Sequence, residues 1–158
     1  MRSRKLLASV AAGALALALP LTVALAAGSS STPAATGSAT ADGEYKMAQA
    51  AIAQNDYSTA MTHLQNVLAA TPDNADALNL MGFSDRKMGK VDESLEYYNK
   101  ALALNPNNLG ANEYLGELYL DMKDVKKAQE RLEVLKNACG GTCAEYTELK
   151  EKIDQFKS

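Results

Sequence analysis

The sequence contains little of what most catalytic and metal sites are built from. Its 158 residues include one histidine, two cysteines and no tryptophan. A single histidine excludes sites that need several imidazole groups, and no Ser/His/Asp set or metal-ligand cluster is visible. These absences count against most enzyme classes, and they predict a protein without catalytic activity and without a bound cofactor.

Basic residues are also few. Sixteen Lys and Arg residues stand against 19 Asp and Glu residues, a formal net charge of −3. Because nucleic-acid binding needs clustered Lys and Arg, this balance excludes nucleic acid as the main partner. The remaining composition, with 47% hydrophobic and 22% charged residues, is that of one ordinary globular domain.

The N-terminal segment, from Met1 to Ala26, differs from the rest of the chain. A basic start at residues 2–5 precedes an uncharged run over residues 6–27, and Ala-Leu-Ala stands at residues 24–26. This order is typical of a signal peptide cleaved after Ala26. It predicts a periplasmic or secreted protein. After cleavage the chain would keep 13 basic and 19 acidic residues, a formal charge of −6. The alternative is that the segment is not cleaved and anchors the protein, since an uncharged run of about 22 residues can cross a bilayer core. Membrane attachment is expected only if the segment stays uncleaved.

A segment of small residues follows the predicted signal peptide. Residues 27–41 (AGSSSTPAATGSATA) contain no charge and no large apolar side chain. Such a segment cannot bury enough surface to offset its ordering entropy. We therefore expect a disordered linker over residues 27–40, without secondary structure.

The rest of the chain contains an internal repeat. A proline, a glycine and a small residue recur at positions 34 apart, all in one register: Pro72 and Pro106, Gly82 and Gly116, and Ala60, Ser94 and Ala128. Several series in the same register indicate structural repeats, which a single coincidence would not.

In this register the sequence resembles the tetratricopeptide repeat (TPR) family, whose unit is a helix pair with small residues at the helix crossing. The motif residues are Met47, Ala48, Ala60, Leu64 and Pro72, then Met81, Gly82, Ser94, Tyr98 and Pro106, then Leu115, Gly116, Tyr119, Ala128 and Leu132. The resemblance covers residues 41–142 and implies three repeats, at 41–74, 75–108 and 109–142.

Apolar residues at spacings of 3, 4 and 7 predict amphipathic helices independently of the resemblance. We place them near residues 42–54, 58–70, 75–88, 92–104, 109–122 and 126–138. Residues 143–158 predict a seventh helix with an apolar stripe of Tyr146, Leu149, Ile153 and Phe156. The expected fold is an all-α solenoid of three helix-pair repeats with a C-terminal capping helix, because an open array needs a polar outer face.

The resemblance also implies a binding surface, because in the family the first helix of each pair lines a concave groove that receives a peptide or partner helix. The corresponding residues are Tyr45, Gln49, Asn79, Phe83, Arg86, Lys87, Glu113, Glu117 and Leu120, with Asp42, Ile52, Asp76 and Asp121 beside them. The pattern favours a ligand with an apolar anchor beside Phe83 and a carboxylate bound to Arg86 and Lys87. The alternative is that these are solvated helix faces. The Lys, Asn and Arg set with which some members clamp a C-terminal carboxylate is mostly missing.

These features predict a non-catalytic exported adaptor that binds a protein or peptide partner. Cys139 and Cys143 enclose a Gly-Gly turn, and in an exported protein such a pair predicts a disulfide. Free thiols, or a thiol-redox or copper-handling site, are the alternatives, although His63 lies two repeats away from the cysteines. A further alternative is a homo-oligomer in which the terminal helix of one molecule occupies the groove of the next.

Overall fold

Seven α-helices follow one another over residues 33–157, the residues that the computed structural model describes. They are α1 (Pro33–Ala53), α2 (Tyr57–Ala70), α3 (Ala75–Lys87), α4 (Val91–Leu104), α5 (Leu109–Asp121), α6 (Val125–Cys139) and α7 (Ala144–Lys157). No strand occurs within residues 33–157, and the predicted all-α fold is confirmed. None of these helices combines the length and apolar character that crossing a membrane requires. The predicted signal peptide, residues 1–26, and residues 27–32 lie outside the described residues.

The first helix begins earlier than the sequence predicts. We expect a start near residue 42 and no secondary structure over residues 27–40, but α1 starts at Pro33. The linker prediction is therefore wrong from Pro33 onward. Proline suits the first turn of a helix, where its missing N–H is not needed. Residues 34–41 contain no further proline, so a helix formed in the packed part of α1 extends back to Pro33.

Each odd-numbered helix among α1 to α6 packs most extensively against the even-numbered helix that follows it. The result is three consecutive helix pairs, α1 with α2, α3 with α4 and α5 with α6. Small residues at the crossings allow this close packing, since Ala60, Ser94 and Ala128 are completely buried. At Gly82, a Cβ atom would lie only 2.7 Å from the ring of Tyr98.

The loops repeat one geometry at the interval that the sequence shows. Asn55, Gly89 and Lys123 each follow the first helix of a pair, and their φ angles are all positive, at 60°, 78° and 63°. Asn74 and Asn108 precede the next first helix, and their side chains accept hydrogen bonds from the N–H group three residues later at 2.9 and 2.8 Å. Asn74 and Asn108 are therefore the N-caps of α3 and α5.

The last helix, α7, packs against α5 and α6 and closes the array. Its residues Leu149 and Ile153 are fully buried, and burying such side chains stabilises the fold by roughly 1.5–3 kcal/mol each. Phe156, predicted on the same buried stripe, is instead 47% exposed. It lines an open cleft together with Leu120 and Asp121 at the end of α5.

Candidate partner-binding surface

The predicted groove residues lie on the three first helices but differ in accessibility. Tyr45, Gln49, Phe83, Arg86 and Lys87 keep exposed surface, whereas Asn79, Glu113, Glu117 and Leu120 are buried. We call Tyr45, Gln49, Phe83 and Lys87 the first-helix surface; Arg86 is treated separately because its charge is already paired.

Phe83 lies at the centre of an aromatic cluster. Its ring centroid is 4.9 Å from that of Tyr114 and 6.2 Å from that of Tyr57. The Nζ atom of Lys87 lies 5.2 Å from the Phe83 centroid, within cation–π range. Sequence reasoning missed Tyr57 because it opens a second helix. The available signal was its aromatic ring, which stands where both other copies have valine.

Arg86 belongs to an ion-pair network that joins three helices. Its Nε donates a hydrogen bond to Asp121 Oδ2 at 2.6 Å, and its Nη1 donates to Glu117 Oε2. Lys152 on α7 donates from Nζ to the other Glu117 oxygen. Two carboxylates of α5 already pair with Arg86, so a ligand carboxylate would have to displace one of them. The role of Arg86 in binding a ligand carboxylate stays a prediction. Lys87 remains the cation of the first-helix surface.

The α5 part of the predicted groove is covered by α7. Glu113, Glu117 and Leu120 are only 4%, 6% and 7% exposed, although the sequence predicts that they face a partner. A Cβ atom at Gly116 would lie 2.5 Å from Leu149 Cδ2. Because Gly116 has no side chain, α7 approaches α5 closely enough to bury the neighbouring positions. The predicted open groove is therefore wrong for α5.

Asn79 on α3 is the fourth buried member of the predicted groove. A Cβ atom at Gly110 of α5 would lie 2.8 Å from Asn79 Nδ2, so the α5 backbone lies directly against this amide group. Asn79 therefore contributes to the packing of α3 on α5, and its predicted position in an open groove is wrong.

Glu113 lies in an unusual electrostatic setting between α5 and α7. The residue is more than nine-tenths buried, and its Oε1 atom has no hydrogen-bond partner within residues 33–157. Burial, together with the charges of Glu117 and Glu148 and a hydrogen bond with Glu148, raises the pKa of Glu113 to about 8. Burial and then the nearby charge of Glu113 raise the pKa of Tyr114 to about 12.

Two clefts open beside these residues. One has a volume of about 240 Å³ and is lined by Ala41, Asp42, Tyr45, Asn74 and Asp76. The other has a volume of about 320 Å³ and is lined by Arg86, Glu117, Leu120, Asp121, Lys152, Gln155 and Phe156. The first connects α1 to α3, so residues of these two helices share one surface. The second contains the Arg86 network.

Cys139 and Cys143 are joined as a disulfide in the structure, with Cα atoms 5.9 Å apart. Their oxidation state in the cell stays a prediction. His63 is far from them in the chain, and its Nδ1 lies 2.8 Å from Glu44 Oε2. The described residues contain no group of three or more His, Cys, Asp or Glu that could hold a metal ion. Nothing in this geometry favours the copper-handling alternative.

Comparison with known families finds two matches, both described as tetratricopeptide repeat. One covers residues 45–82 and the other residues 85–153. Among curated proteins, the uncharacterized protein ycf37 of Pyropia yezoensis is 34% identical over 55 residues, which are 35% of this chain and 31% of that protein. The match thus spans about a third of the length of that relative.

Solved structures with similar folds include two domains of known architecture. The Sgt2 TPR domain from Aspergillus fumigatus has a TM-score of 0.66 and 25% identity, covering 73% of this chain and 77% of that one. The TPR2B domain of yeast Sti1, in complex with pHsp70, has a TM-score of 0.66 and 19% identity, covering 74% and 98%. At this level of identity the Sti1 similarity establishes the fold alone.

Proposed function

Because the chain belongs to the tetratricopeptide repeat family, we propose that it is a non-catalytic scaffold that binds a protein or peptide partner on its first-helix surface. The observation that carries this proposal is the partly exposed cluster of Phe83, Tyr57 and Tyr114 with the exposed Lys87 beside it. Aromatic side chains dominate binding energy at many interfaces because they bury large areas with few rotatable bonds.

The relatives are consistent with such a role. The similar TPR2B domain of Sti1 was solved as a complex with pHsp70, so this fold can hold a partner. The ligand of Sti1 is not transferred to this chain, because a repeat scaffold of one fold serves unrelated partners. Because α7 buries Glu113, Glu117 and Leu120 of α5, the proposed contact surface is formed by α1, α3, the Tyr57 end of α2 and, from α5, the partly exposed Tyr114.

The test is a binding measurement with substitutions on the first-helix surface. Crosslinking and mass spectrometry in the native cell envelope would first identify the partner. The purified partner is then titrated against wild-type protein and the Phe83→Ala, Lys87→Glu double variant. We expect at least about a tenfold loss of affinity, because the apolar anchor and the adjacent cation are both removed.

A matched control places the same kinds of change on second helices. Leu104 on α4 is an exposed apolar residue and Lys126 on α6 an exposed cation, so Leu104→Ala with Lys126→Glu should leave affinity unchanged. Helical circular dichroism should be the same for both double variants. Equal affinity of the wild type and the Phe83, Lys87 variant would place the binding site on another face.

We also propose that the protein is exported and acts outside the cytoplasm. The support is the basic, then uncharged, then small-residue order of residues 1–26. Intact mass of the protein recovered from a bacterial periplasm should correspond to a chain that starts at Ala27. A mass that includes residues 1–26, in a membrane fraction, would instead establish an uncleaved anchor.

A further inference from the structure

We propose that the partner peptide binds with a fixed polarity. A lysine or arginine side chain of the peptide enters the cleft between α1 and α3, an apolar side chain rests on Phe83, and an acidic side chain faces Lys87. This inference rests on the proposed function, because it assigns the ligand chemistry of the same first-helix surface. It differs from the sequence-based expectation, which included an apolar anchor and a carboxylate but no basic group.

The cleft between α1 and α3 presents two carboxylates and no cation. Its volume is about 240 Å³, and the described residues that line it are Ala41, Asp42, Tyr45, Asn74 and Asp76. Both aspartates are exposed, and neither forms an ion pair within residues 33–157. Tyr45 adds a partly buried aromatic ring. A cation in this cleft would therefore meet two carboxylates and a ring, all of which attract positive charge.

The repeat register explains why the two carboxylates share this cleft. Asp42 and Asp76 are 34 positions apart, so they occupy the same place on successive first helices. The Asp76 side chain is held in position, because its Oδ1 accepts a hydrogen bond from Asn108 Nδ2 at 2.7 Å. This bond leaves Oδ2 for a ligand. The equivalent residue of the third repeat is Gly110, so the paired negative charge is specific to the α1 and α3 end of the surface.

Helix stability alone does not account for both aspartates. Asp76 lies in the first turn of α3 and Lys87 in the last turn, where both charges interact favourably with the helix dipole. Asp42 lies well inside α1, which begins at Pro33 and has no acidic residue in its first turn. The helix dipole therefore gives no reason for a carboxylate at Asp42, and the feature that it shares with Asp76 is the cleft.

One face of α3 connects the cleft to the aromatic cluster and to Lys87. Asp76, Phe83 and Lys87 are separated by seven and then four positions, which is the spacing of a single helix face. At about 1.5 Å per residue, Asp76 and Lys87 lie roughly 16 Å apart along the helix axis. Lys87 forms no ion pair with the described residues, and its Nζ lies 5.2 Å from the Phe83 centroid.

This arrangement gives the surface opposite charges on the two sides of its apolar anchor. A peptide that rests on Phe83 meets negative charge towards the start of α3 and positive charge towards its end. Only one orientation of a peptide with a basic and an acidic residue pairs both of them with opposite charge, and the reverse orientation places like charges together. The expected ligand therefore carries a basic and an acidic residue on opposite sides of an apolar one.

Selection from a phage-displayed library of random twelve-residue peptides tests this polarity. The wild-type protein should enrich peptides in which a basic and an acidic residue flank an apolar residue. The Asp42→Asn, Asp76→Asn variant should lose only the basic preference, and Lys87→Gln only the acidic one. Asparagine at residue 76 keeps an oxygen that can accept the Asn108 hydrogen bond. Asp73→Asn is the control, because Asp73 is an exposed carboxylate that lines a different cleft.

Affinities of one enriched peptide assign each of its charges to one end of the surface. Replacing its basic residue by norleucine should lower affinity about tenfold with the wild type and leave it unchanged with the Asp42→Asn, Asp76→Asn variant. The tenfold effect should persist in Lys87→Gln, because Lys87 lies at the other end of α3. Replacing the acidic residue of the peptide by its amide should give the opposite pattern.

The outcomes separate this inference from the proposed function. Peptides that lose affinity for Phe83→Ala but show no basic preference would overturn the inference and leave the proposed function in place. A basic preference that survives in the Asp42→Asn, Asp76→Asn variant would overturn it equally. Asp42→Asn alone repeats the test if the double variant loses its helical circular dichroism, because no described residue bonds to the Asp42 carboxylate. If the wild type enriches no peptide, both proposals are wrong.

Discussion

Two glycines at equivalent repeat positions face different neighbours, and this difference predicts different costs of adding a methyl group. A Cβ atom at Gly82 would lie 2.7 Å from the ring of Tyr98, a rigid side chain that is fully buried. A Cβ atom at Gly116 would meet the end of the Leu149 side chain, on the terminal helix. We expect Gly82→Ala to lower the free energy of unfolding by about 1–3 kcal/mol, and Gly116→Ala by less, in urea denaturation.

Gly43 on α1 is the control for both substitutions, because nothing lies within 4 Å of a Cβ atom built there. Alanine has the higher helix propensity, so Gly43→Ala should raise stability by about 0.5–1 kcal/mol. Equal losses at Gly82 and Gly116 would contradict the view that the rigidity of the neighbour determines the cost.

The raised pKa of Glu113 predicts how stability depends on pH. The carboxyl group has a pKa of about 8 in the folded protein against an ordinary value of 4.5. Between these values the folded state binds the additional proton, so the free energy of unfolding falls as pH rises. The slope is at most about 1.4 kcal/mol per pH unit. Urea denaturation between pH 5 and pH 8 measures this loss.

Glu113→Gln isolates the contribution of this one carboxyl group. Glutamine cannot ionise and its amide can donate to Glu148, so the variant should be the more stable protein at pH 8, with a flatter pH profile. Glu151→Gln, which is exposed, should retain the wild-type slope. A slope that persists in Glu113→Gln would assign the proton uptake to another group.

At the scale of the helices, features that depend on the local sequence are predicted better than features that depend on tertiary contacts. The bounds of α2 to α7 agree with the predicted ones to a single position, because apolar periodicity, capping residues and prolines are all local signals. The sequence does not predict the start of α1, because a proline such as Pro33 is compatible both with the end of a linker and with the first turn of a helix. The burial of Glu113 and Glu117 was missed because it depends on the angle at which α7 folds back on α5.

The disulfide at the turn between α6 and α7 leads to a prediction about this last helix. The bond links residues only four apart, so it restricts the unfolded chain little, and its loss should cost on the order of 2 kcal/mol. That cost should fall on α7, because the turn orients it against α5 and α6. In Cys139→Ser, Cys143→Ser protein, hydrogen exchange of α7 amides should accelerate more than that of α3 amides.

Thr142→Ala is the control for the disulfide variant. It removes the hydrogen bond from Thr142 Oγ1 to the Cys139 carbonyl oxygen but leaves both cysteines in place, so α7 exchange should change little. Intact mass with and without reductant establishes whether the disulfide is present in the purified protein. Unchanged exchange of α7 in the serine variant would mean that Leu149 and Ile153 alone hold the helix.

At the scale of the whole array, the repeat register is readable from the sequence but the links between repeats are not. Glycine, small residues and prolines recur because each repeat solves the same packing problem. The ion-pair network joins residues that are far apart in the sequence: 31 positions separate Arg86 from Glu117, and 35 separate Glu117 from Lys152. No local sequence pattern indicates that these residues meet. Their network connects the second repeat, the third repeat and α7, which otherwise contact only their neighbours.

This network predicts that Arg86 contributes to stability as a connector between repeats. In Arg86→Ala, Glu117 is left buried with only Lys152, and Asp121 loses its partner. A buried carboxylate with fewer partners is unfavourable, but Lys152 still pairs with Glu117 and Asp121 is half exposed. We therefore expect Arg86→Ala to lower the free energy of unfolding, measured by urea denaturation, by about 1–3 kcal/mol. The m-value should also fall if the second and third repeats begin to unfold separately. Asp121→Asn is the control, and it should lower the free energy of unfolding by less than about 1 kcal/mol, because ion pairs with an exposed partner contribute little to stability. If both variants lose the same free energy of unfolding, the buried Arg86–Glu117 pair does not connect the repeats.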